Sequence, residues 1–221
     1  MVEDIVSNYW VGKESSNSSC SNVSLFRFLG GLKFNFKGKK VLEVGYGGNN
    51  GADLLEAQKR GAIVYGTDIN PNYIDKIKFI EKSKVFLLRA GLDPLPFNSE
   101  LDLIYSRDVI YYLDDDQIKF FLSDCYKAIK EKSMIVIQII EKDFNIEKKD
   151  PKNSFDDYFF ENSKDGRIFE KDNPIRFLSS RFIINSAETI GFKLIGVKRL
   201  IQSYDIYETN FRVDRYFAFI K

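Results

Sequence analysis

Histidine is absent from all 221 residues. That removes the commonest general base and the commonest metal ligand. No metal site is expected, and any chemistry must rest on carboxylates, tyrosines, lysines or positioning alone. Cysteine is scarce: Cys20 and Cys125 show neither metal-ligand spacing nor a partner pattern, which points to a reducing compartment. No apolar run is long enough to span a membrane, and the acidic, polar N-terminus lacks the pattern of a signal peptide. Neither sign of charge is in excess, with 33 basic against 32 acidic residues, so no global field favours nucleic acid or an anionic membrane. An Asn-Pro-Pro-Tyr-like tetrapeptide, of the kind that holds a flipped base, is missing too. The expectation is a cytoplasmic protein that neither binds nucleic acid nor inserts in a membrane; the oligomeric state stays open.

What is present is the makings of one α/β domain. The length supports one sizeable core, and 44% apolar with 29% charged residues is ordinary for a soluble chain. Residues 1–38 read as an N-terminal appendage. In it Tyr9-Trp10 precedes a Ser/Asn-rich run, and Leu25 to Leu29 forms a short helix ending at Gly30-Gly31. That segment either packs on the domain or brings Tyr9 and Trp10 over a ligand as a lid.

From residue 39 the chain alternates strand and helix, the pattern of a parallel sheet covered on both faces. Strands are predicted at Val41–Val44, Ala62–Thr67, Lys84–Arg89, Leu101–Ser106 and Met134–Ile140. Helices are predicted from Ala52 to Arg60, from Pro71 through a stripe of Tyr73, Ile74, Ile77 and Ile80, and from about Asp116 to Lys130. In the last of these Cys125 falls on the core face and reads as packing. Residues 141–176 break the rhythm; their many aromatics argue for an ordered substrate loop. A helix from Ser180 to Ile190, stopped by Gly191, precedes two β-rich runs that close an antiparallel pair at the sheet edge. The expected fold is a Rossmann-like doubly wound, seven-stranded, mainly parallel sheet with an antiparallel edge strand. It makes 39–221 a single domain.

The chemistry gathers where such sheets bind ligands, at the carboxyl ends of their strands. The first strand breaks into Gly45-Tyr46-Gly47-Gly48, where a backbone can approach a nucleotide-like ligand without a Cβ clash. Glu43 lies two residues before the first glycine, a place usually apolar ahead of a dinucleotide turn. Asp68 ends the second strand, where a carboxylate can accept hydrogen bonds from both hydroxyls of a ribose.

Glu43 with Gly45-x-Gly47 resembles the first motif of class I S-adenosylmethionine-dependent methyltransferases. Val64-Tyr65-Gly66-Thr67-Asp68-Ile69-Asn70 resembles the second motif of that family. Pro94-Leu95-Pro96-Phe97 before Leu101-Asp102-Leu103-Ile104 resembles a stretch common in its small-molecule members, and Asp108-Val109-Ile110-Tyr111-Tyr112-Leu113 resembles the segment after strand four. The resemblance covers about 39–140 and 177–221 and implies S-adenosylmethionine as cofactor. It implies that Gly45, Tyr46 and Gly47 lie against the methionine part, with Glu43 holding that loop and the bound ammonium group. It further implies that Asp68 takes the ribose, that Ile69 and Leu92 border the adenine, and that Ser106 and Arg107 lie near the sulfonium.

Two places depart from the family. Gly91 stands where many relatives have an acid for the adenine amino group, with Asp93 as a substitute two residues on. The turn before strand five, usually Pro-Gly-Gly, is Lys130-Glu131-Lys132-Ser133.

Methyl transfer asks the protein chiefly to hold nucleophile, methyl and sulfur in line. An amine acceptor must arrive neutral; an alcohol needs a base near its proton. Asp108, Tyr111 and Tyr112 are the candidate catalytic residues, with Glu141 and Asp143 as further acids after strand five. Each has a plain alternative: Asp108 as a helix cap, the tyrosines as core, the two acids as solvated. The leading expectation is transfer to N or O of a small molecule such as a sugar, lipid or metabolite precursor. Its rivals are a catalytically silent subunit that binds a partner protein and a nicotinamide-dependent oxidoreductase, the latter resting on the glycines alone.

Overall fold

The computed structural model describes residues 22–74, 76–140, 178–203 and 211–221. Expectations for Tyr9, Trp10, Cys20, Glu141, Asp143, the 141–176 loop and the 204–210 part of the last connection lie outside the described residues. The strands are β1 (Lys40–Val44), β2 (Ile63–Asp68), β3 (Val85–Leu87), β4 (Leu101–Ser106), β5 (Ile129–Ile140), β6 (Lys193–Ser203) and β7 (Phe211–Ile220). They form one seven-stranded sheet in the order β3-β2-β1-β4-β5-β7-β6. The pairs β1–β2, β1–β4, β2–β3 and β4–β5 are parallel. Strand β7 runs antiparallel to both β5 and β6, so the sheet is the expected mixed, Rossmann-like one. The antiparallel strand lies one place in from the edge, and β6 is the edge itself.

Period-two alternation divides the strands between two cores. On one face Leu42, Val44, Ile104, Ile135, Ile137, Phe217 and Phe219 pack beneath helices α4 (Asp115–Ala128) and α5 (Ser180–Ile190). On the other face Val41, Leu103, Tyr105, Val136, Tyr216 and Ala218 pack beneath α1 (Val23–Gly31), α2 (Ala52–Lys59) and the single turn α3 (Pro71–Ile74). Leu25, Phe26, Phe28 and Leu29 of α1 are buried in that second core. Glu43 falls on the α1/α2 face by the same alternation, an acid in line with Val41.

Local chemistry sets the ends of these elements. The Asp114 side chain accepts from the Gln117 N–H and the Gln117 side chain accepts from the Asp114 N–H, a capping box that starts α4 one residue before the predicted Asp116. Gly191 at φ 117° closes α5 in the left-handed region.

Two expectations about elements are corrected. The stripe of Tyr73, Ile74, Ile77 and Ile80 is not one helix: α3 covers only Pro71–Ile74. Ile77 and Ile80 are buried all the same, so the spacing reported burial rather than helical hydrogen bonding. Lys130-Glu131-Lys132-Ser133 is not a turn ahead of β5 but part of it. Leu101 pairs with Ile129 and Leu103 with Met134, so extra residues bulge out of β5, with Lys132 at φ 61°.

At this end of the sheet, remote from the strand tips, Asp102 accepts from the Lys40 N–H at 2.9 Å, from Lys130 Nζ at 2.9 Å and from Lys39 Nζ at 3.2 Å. Burial works against its ionised form, but these donors outweigh burial and hold its carboxyl below the usual carboxylate range.

Candidate functional site

Strand order reverses between β1 and β4, with β2 on one side of β1 and β4–β5 on the other. The tips of β1, β2 and β4 therefore meet at the crevice where doubly wound sheets take ligands. Gly45 leaves β1 at φ +80° and donates its N–H to the Thr67 carbonyl at 2.7 Å. A short 3-10 turn, Tyr46–Asn49, leads to α2.

The loop glycines answer to this chain's own side chains. A Cβ at Gly45 would lie 2.1 Å from Val109 Cγ2, and one at Gly47 would lie 1.7 Å from the ring of Tyr73. The Tyr46 ring leaves the crevice altogether: it is fully buried in the second core, where a Cβ on Gly66 would strike it at 2.7 Å. Only the backbone of Tyr46 remains with the loop.

Asp68 sits at the tip of β2, 7% exposed. Its Oδ2 accepts from the Gly47 N–H at 2.8 Å and its Oδ1 from the Asn70 N–H at 2.9 Å, which ties the β2 tip to the glycine turn. Burial pushes this carboxyl up to about 6, against the opposing hydrogen bonds from the Asn70, Gly47 and Ile69 backbone. Ile69 and Leu92 are half-buried beside it in sequence and in the following loop.

The β4 tip holds the charged part. Ser106 is buried, and its Oγ has no hydrogen-bond partner among the described residues. The Arg107 guanidinium lies 3.2 Å from Asp53 Oδ2 and 3.6 Å from Asp108 Oδ2. Burial disfavours its charge, but Asp108, Asp53 and Glu43 together outweigh burial and hold the cation firmly. Glu43 is fully buried and its Oε2 accepts from the Tyr105 hydroxyl at 3.1 Å. Asp108 stands at φ 57°, unusual for a residue with a side chain, and its Oδ1 accepts from the Tyr111 hydroxyl at 2.9 Å. Tyr111 is buried and Tyr112 half-buried, with ring centroids 4.6 Å apart. The side chain that caps α4 is that of Asp114.

Asp93, the residue expected to stand in for the missing acid at position 91, is held by its own loop. Asp93 accepts from the Arg89 N–H at 2.9 Å and grips its guanidinium at 3.1 and 2.8 Å, so its carboxylate is engaged on its own loop. Gly91, at φ +80°, lies so close to α4 that a Cβ there would be 2.9 Å from the Gln117 backbone oxygen. An acid has no room at that position.

Sequence reasoning missed Asp53, Asn22 and Tyr73. Asp53 lies in the first turn of α2 with no exposure; its place just after Gly51 was the available signal, since acids favour helix N-termini. Asn22 caps α1, donates its N–H to Asp53 Oδ1 and reaches the Tyr216 hydroxyl with Nδ2 at 3.0 Å. The Ser/Asn-rich run reads as a flexible or capping segment, and Asn22 does cap α1; its reach to Asp53 and Tyr216 has no local signal.

Residues 42–137 match the methyltransferase domain family. Among curated proteins the sequence has no match. Among solved structures the chain resembles a S-adenosylmethionine-dependent methyltransferase from Methanosarcina mazei, at 14% identity over 91% of this chain and 98% of that one, with a TM-score of 0.65. It also resembles the Burkholderia thailandensis 1,6-didemethyltoxoflavin-N1-methyltransferase with bound 1,6-didemethyltoxoflavin and S-adenosylhomocysteine, at 11% identity over 89% and 76%, TM-score 0.62. A third is the magnesium protoporphyrin IX methyltransferase of Synechocystis with bound S-adenosylhomocysteine, at 15% identity over 90% and 80%, TM-score 0.59. The fold is that of the S-adenosylmethionine-dependent methyltransferases among these structures, and residues 42–137, a little under half of the chain, match the methyltransferase domain. The residues present suit that donor. A buried surplus of carboxylate fits a molecule bearing a sulfonium and an ammonium group, and the Ser106 hydroxyl is left to be satisfied. No helix among the described residues is long and apolar enough to cross a membrane.

Proposed function

We propose that the protein methylates a nitrogen or oxygen atom of a small molecule. The observation that carries this is Asp108, held at φ 57° on the β4 tip with its carboxylate against the Tyr111 hydroxyl. An uncommon backbone conformation at a strand tip that opens on the crevice supports a functional role for this carboxylate.

In this reading Asp68 accepts from the ribose hydroxyls, Ile69 and Leu92 border the adenine, and the backbone of Gly45, Tyr46 and Gly47 borders the methionine part. Glu43, Ser106 and Arg107 serve the charged end. The donor, when bound, supplies a methyl group on a positively charged sulfur. What this chain adds is position. Asp108 accepts the proton of a hydroxyl acceptor, and Tyr111 fixes the orientation of that carboxylate; an amine acceptor that arrives neutral is only aligned. Tyr112, half-buried beside Tyr111, borders the acceptor. Balanced charge supports a small acceptor over nucleic acid. The Burkholderia and Synechocystis neighbours, both named for small-molecule substrates, support it also.

The test is mass-spectrometric detection of methylated products from a panel of amines, sugars, phenols and carboxylates incubated with the protein and S-adenosylmethionine. Turnover confined to a nucleic acid or a protein would overturn the reading. Donor binding with no turnover on any class would favour the silent, partner-binding subunit.

A further inference from the structure

Glu43 is 1% exposed on β1, and the groups that face it come from every element around it. Asp53 approaches from α2, Asp68 from the β2 tip, Arg107 from beyond β4, and Tyr105 of β4 supplies a hydroxyl. Among the described residues Arg107 is the cation that offsets Glu43, and it is already set against Asp53 and Asp108. An ionised carboxylate without a counter-ion of its own is costly to bury, and such a group neutralises instead.

We propose that Glu43 is a neutral carboxylic acid in the ligand-free protein and ionises when the donor binds, so that taking up S-adenosylmethionine releases a proton to solvent. Burial drives the Glu43 carboxyl far toward its neutral form, and Asp53 adds to this; Arg107 and the Tyr105 hydroxyl oppose it without prevailing. The donor brings two positive charges, sulfonium and ammonium, against one carboxylate. Its net charge supplies what the cluster lacks. The step is an acid dissociation: the Glu43 O–H bond breaks, the electron pair stays on the carboxylate, and the proton passes to buffer. S-adenosylhomocysteine lacks the sulfonium charge and draws out less of the proton. The inference rests on the donor site proposed above and not on the acceptor.

Calorimetric titration with S-adenosylmethionine at about pH 7, in buffers of differing ionisation enthalpy, counts the protons exchanged. Wild-type protein is expected to release about one proton more than Glu43→Gln. Asp68, pushed up to about 6, is mostly ionised at that pH in both states and does not supply it. The donor's own amine, with an ordinary α-amino value of about 8, is mostly protonated at that pH and contributes a fraction of a proton. Should Glu43→Gln fail to fold, infrared difference spectra of the wild-type protein carry the test. Donor binding is expected to remove a protonated-carboxyl band and leave a carboxylate one. Equal proton counts in the two proteins, or a carboxyl band that donor binding leaves unchanged, would overturn the inference while the donor site stands. Undiminished donor affinity in Asp68→Ala would overturn the site assignment and the inference together.

Discussion

The ring of Tyr73 lies where a side chain on residue 47 would have to be, 1.7 Å from an ideal Cβ. The glycine of the turn is thus required by a tyrosine on α3 before any ligand is considered. Gly47→Ala is expected to cost about 1–3 kcal/mol, the usual range for overpacking. Placed in a Tyr73→Ala background it should cost much less. Denaturant unfolding of the four proteins of this double-mutant cycle measures the coupling; simple additivity would show that the ring is not the obstacle.

Asp68 gives a pH dependence with a definite sign. Its carboxyl is raised to about 6 in the folded protein from the ordinary value of 3.8. A raised acid favours the folded state at low pH, and that contribution is lost as pH rises through about 6. In the proposed site donor binding has the opposite demand, since the ionised carboxylate is the stronger acceptor for ribose hydroxyls. The rise in melting temperature produced by S-adenosylmethionine is therefore expected to shrink below about pH 6. A donor-induced shift that stayed constant between pH 7 and about 5 would exclude Asp68 from donor binding.

Asp108→Asn keeps a residue type that tolerates positive φ, so the fold should survive it. With a hydroxyl acceptor, the rate of methyl transfer is expected to fall about 100-fold or more, in the range for loss of a general base, with donor affinity unchanged. Tyr111→Phe should have a smaller effect on the same rate. Single-turnover kinetics with donor in excess separates the rate from binding; equal rates in Asp108→Asn and the wild type would remove Asp108 from the chemistry.

Asp102 provides a control at the far end of the sheet. Its three donors hold its carboxyl below the usual range, so its contribution to stability is present above the unfolded value and lost as pH falls. Asp102→Asn is expected to destabilise the protein by about 1–2 kcal/mol at neutral pH, and to leave donor affinity in calorimetry as it was. The difference from wild type should narrow on acidification.

Most of the sheet was legible in the sequence because its strands are short apolar runs between clear helical stripes and turn residues. Leu101–Ser106 was read to the residue, and Ile63–Asp68 to within one. What failed depended on distance along the chain. The bulge in β5 follows from pairing with β4 and β7, not from anything local in Lys130–Ser133. The short α3 failed because spacing reports which residues are buried, whether or not helical hydrogen bonds join them. In the site, Glu43 and Asp68 stood out as acids at strand tips. Asp53 is an ordinary helix-start acid until Arg107 is brought to it by β4. The Gly91 departure was visible as a missing acid, but its cause, the backbone of α4 at Gln117, lies 26 positions away in a different element.

The place of β7 bears on the order in which the molecule can be made. Strand β7, which follows β6 in the chain, sits between β5 and β6, and on it Phe217 and Phe219 face one core while Tyr216 and Ala218 face the other. During synthesis β1 to β4 can pair as they emerge, but β5 has one bare edge and β6 has no partner until residues 211–220 arrive. Through that interval the nascent chain presents Met134–Ile140 as an open apolar template, the kind of edge that recruits other chains. A ribosome stalled shortly before Phe211 would therefore hold an aggregation-prone half-sheet. Phe211–Ile220 covers that edge of β5 and gives β6 its partner in one step.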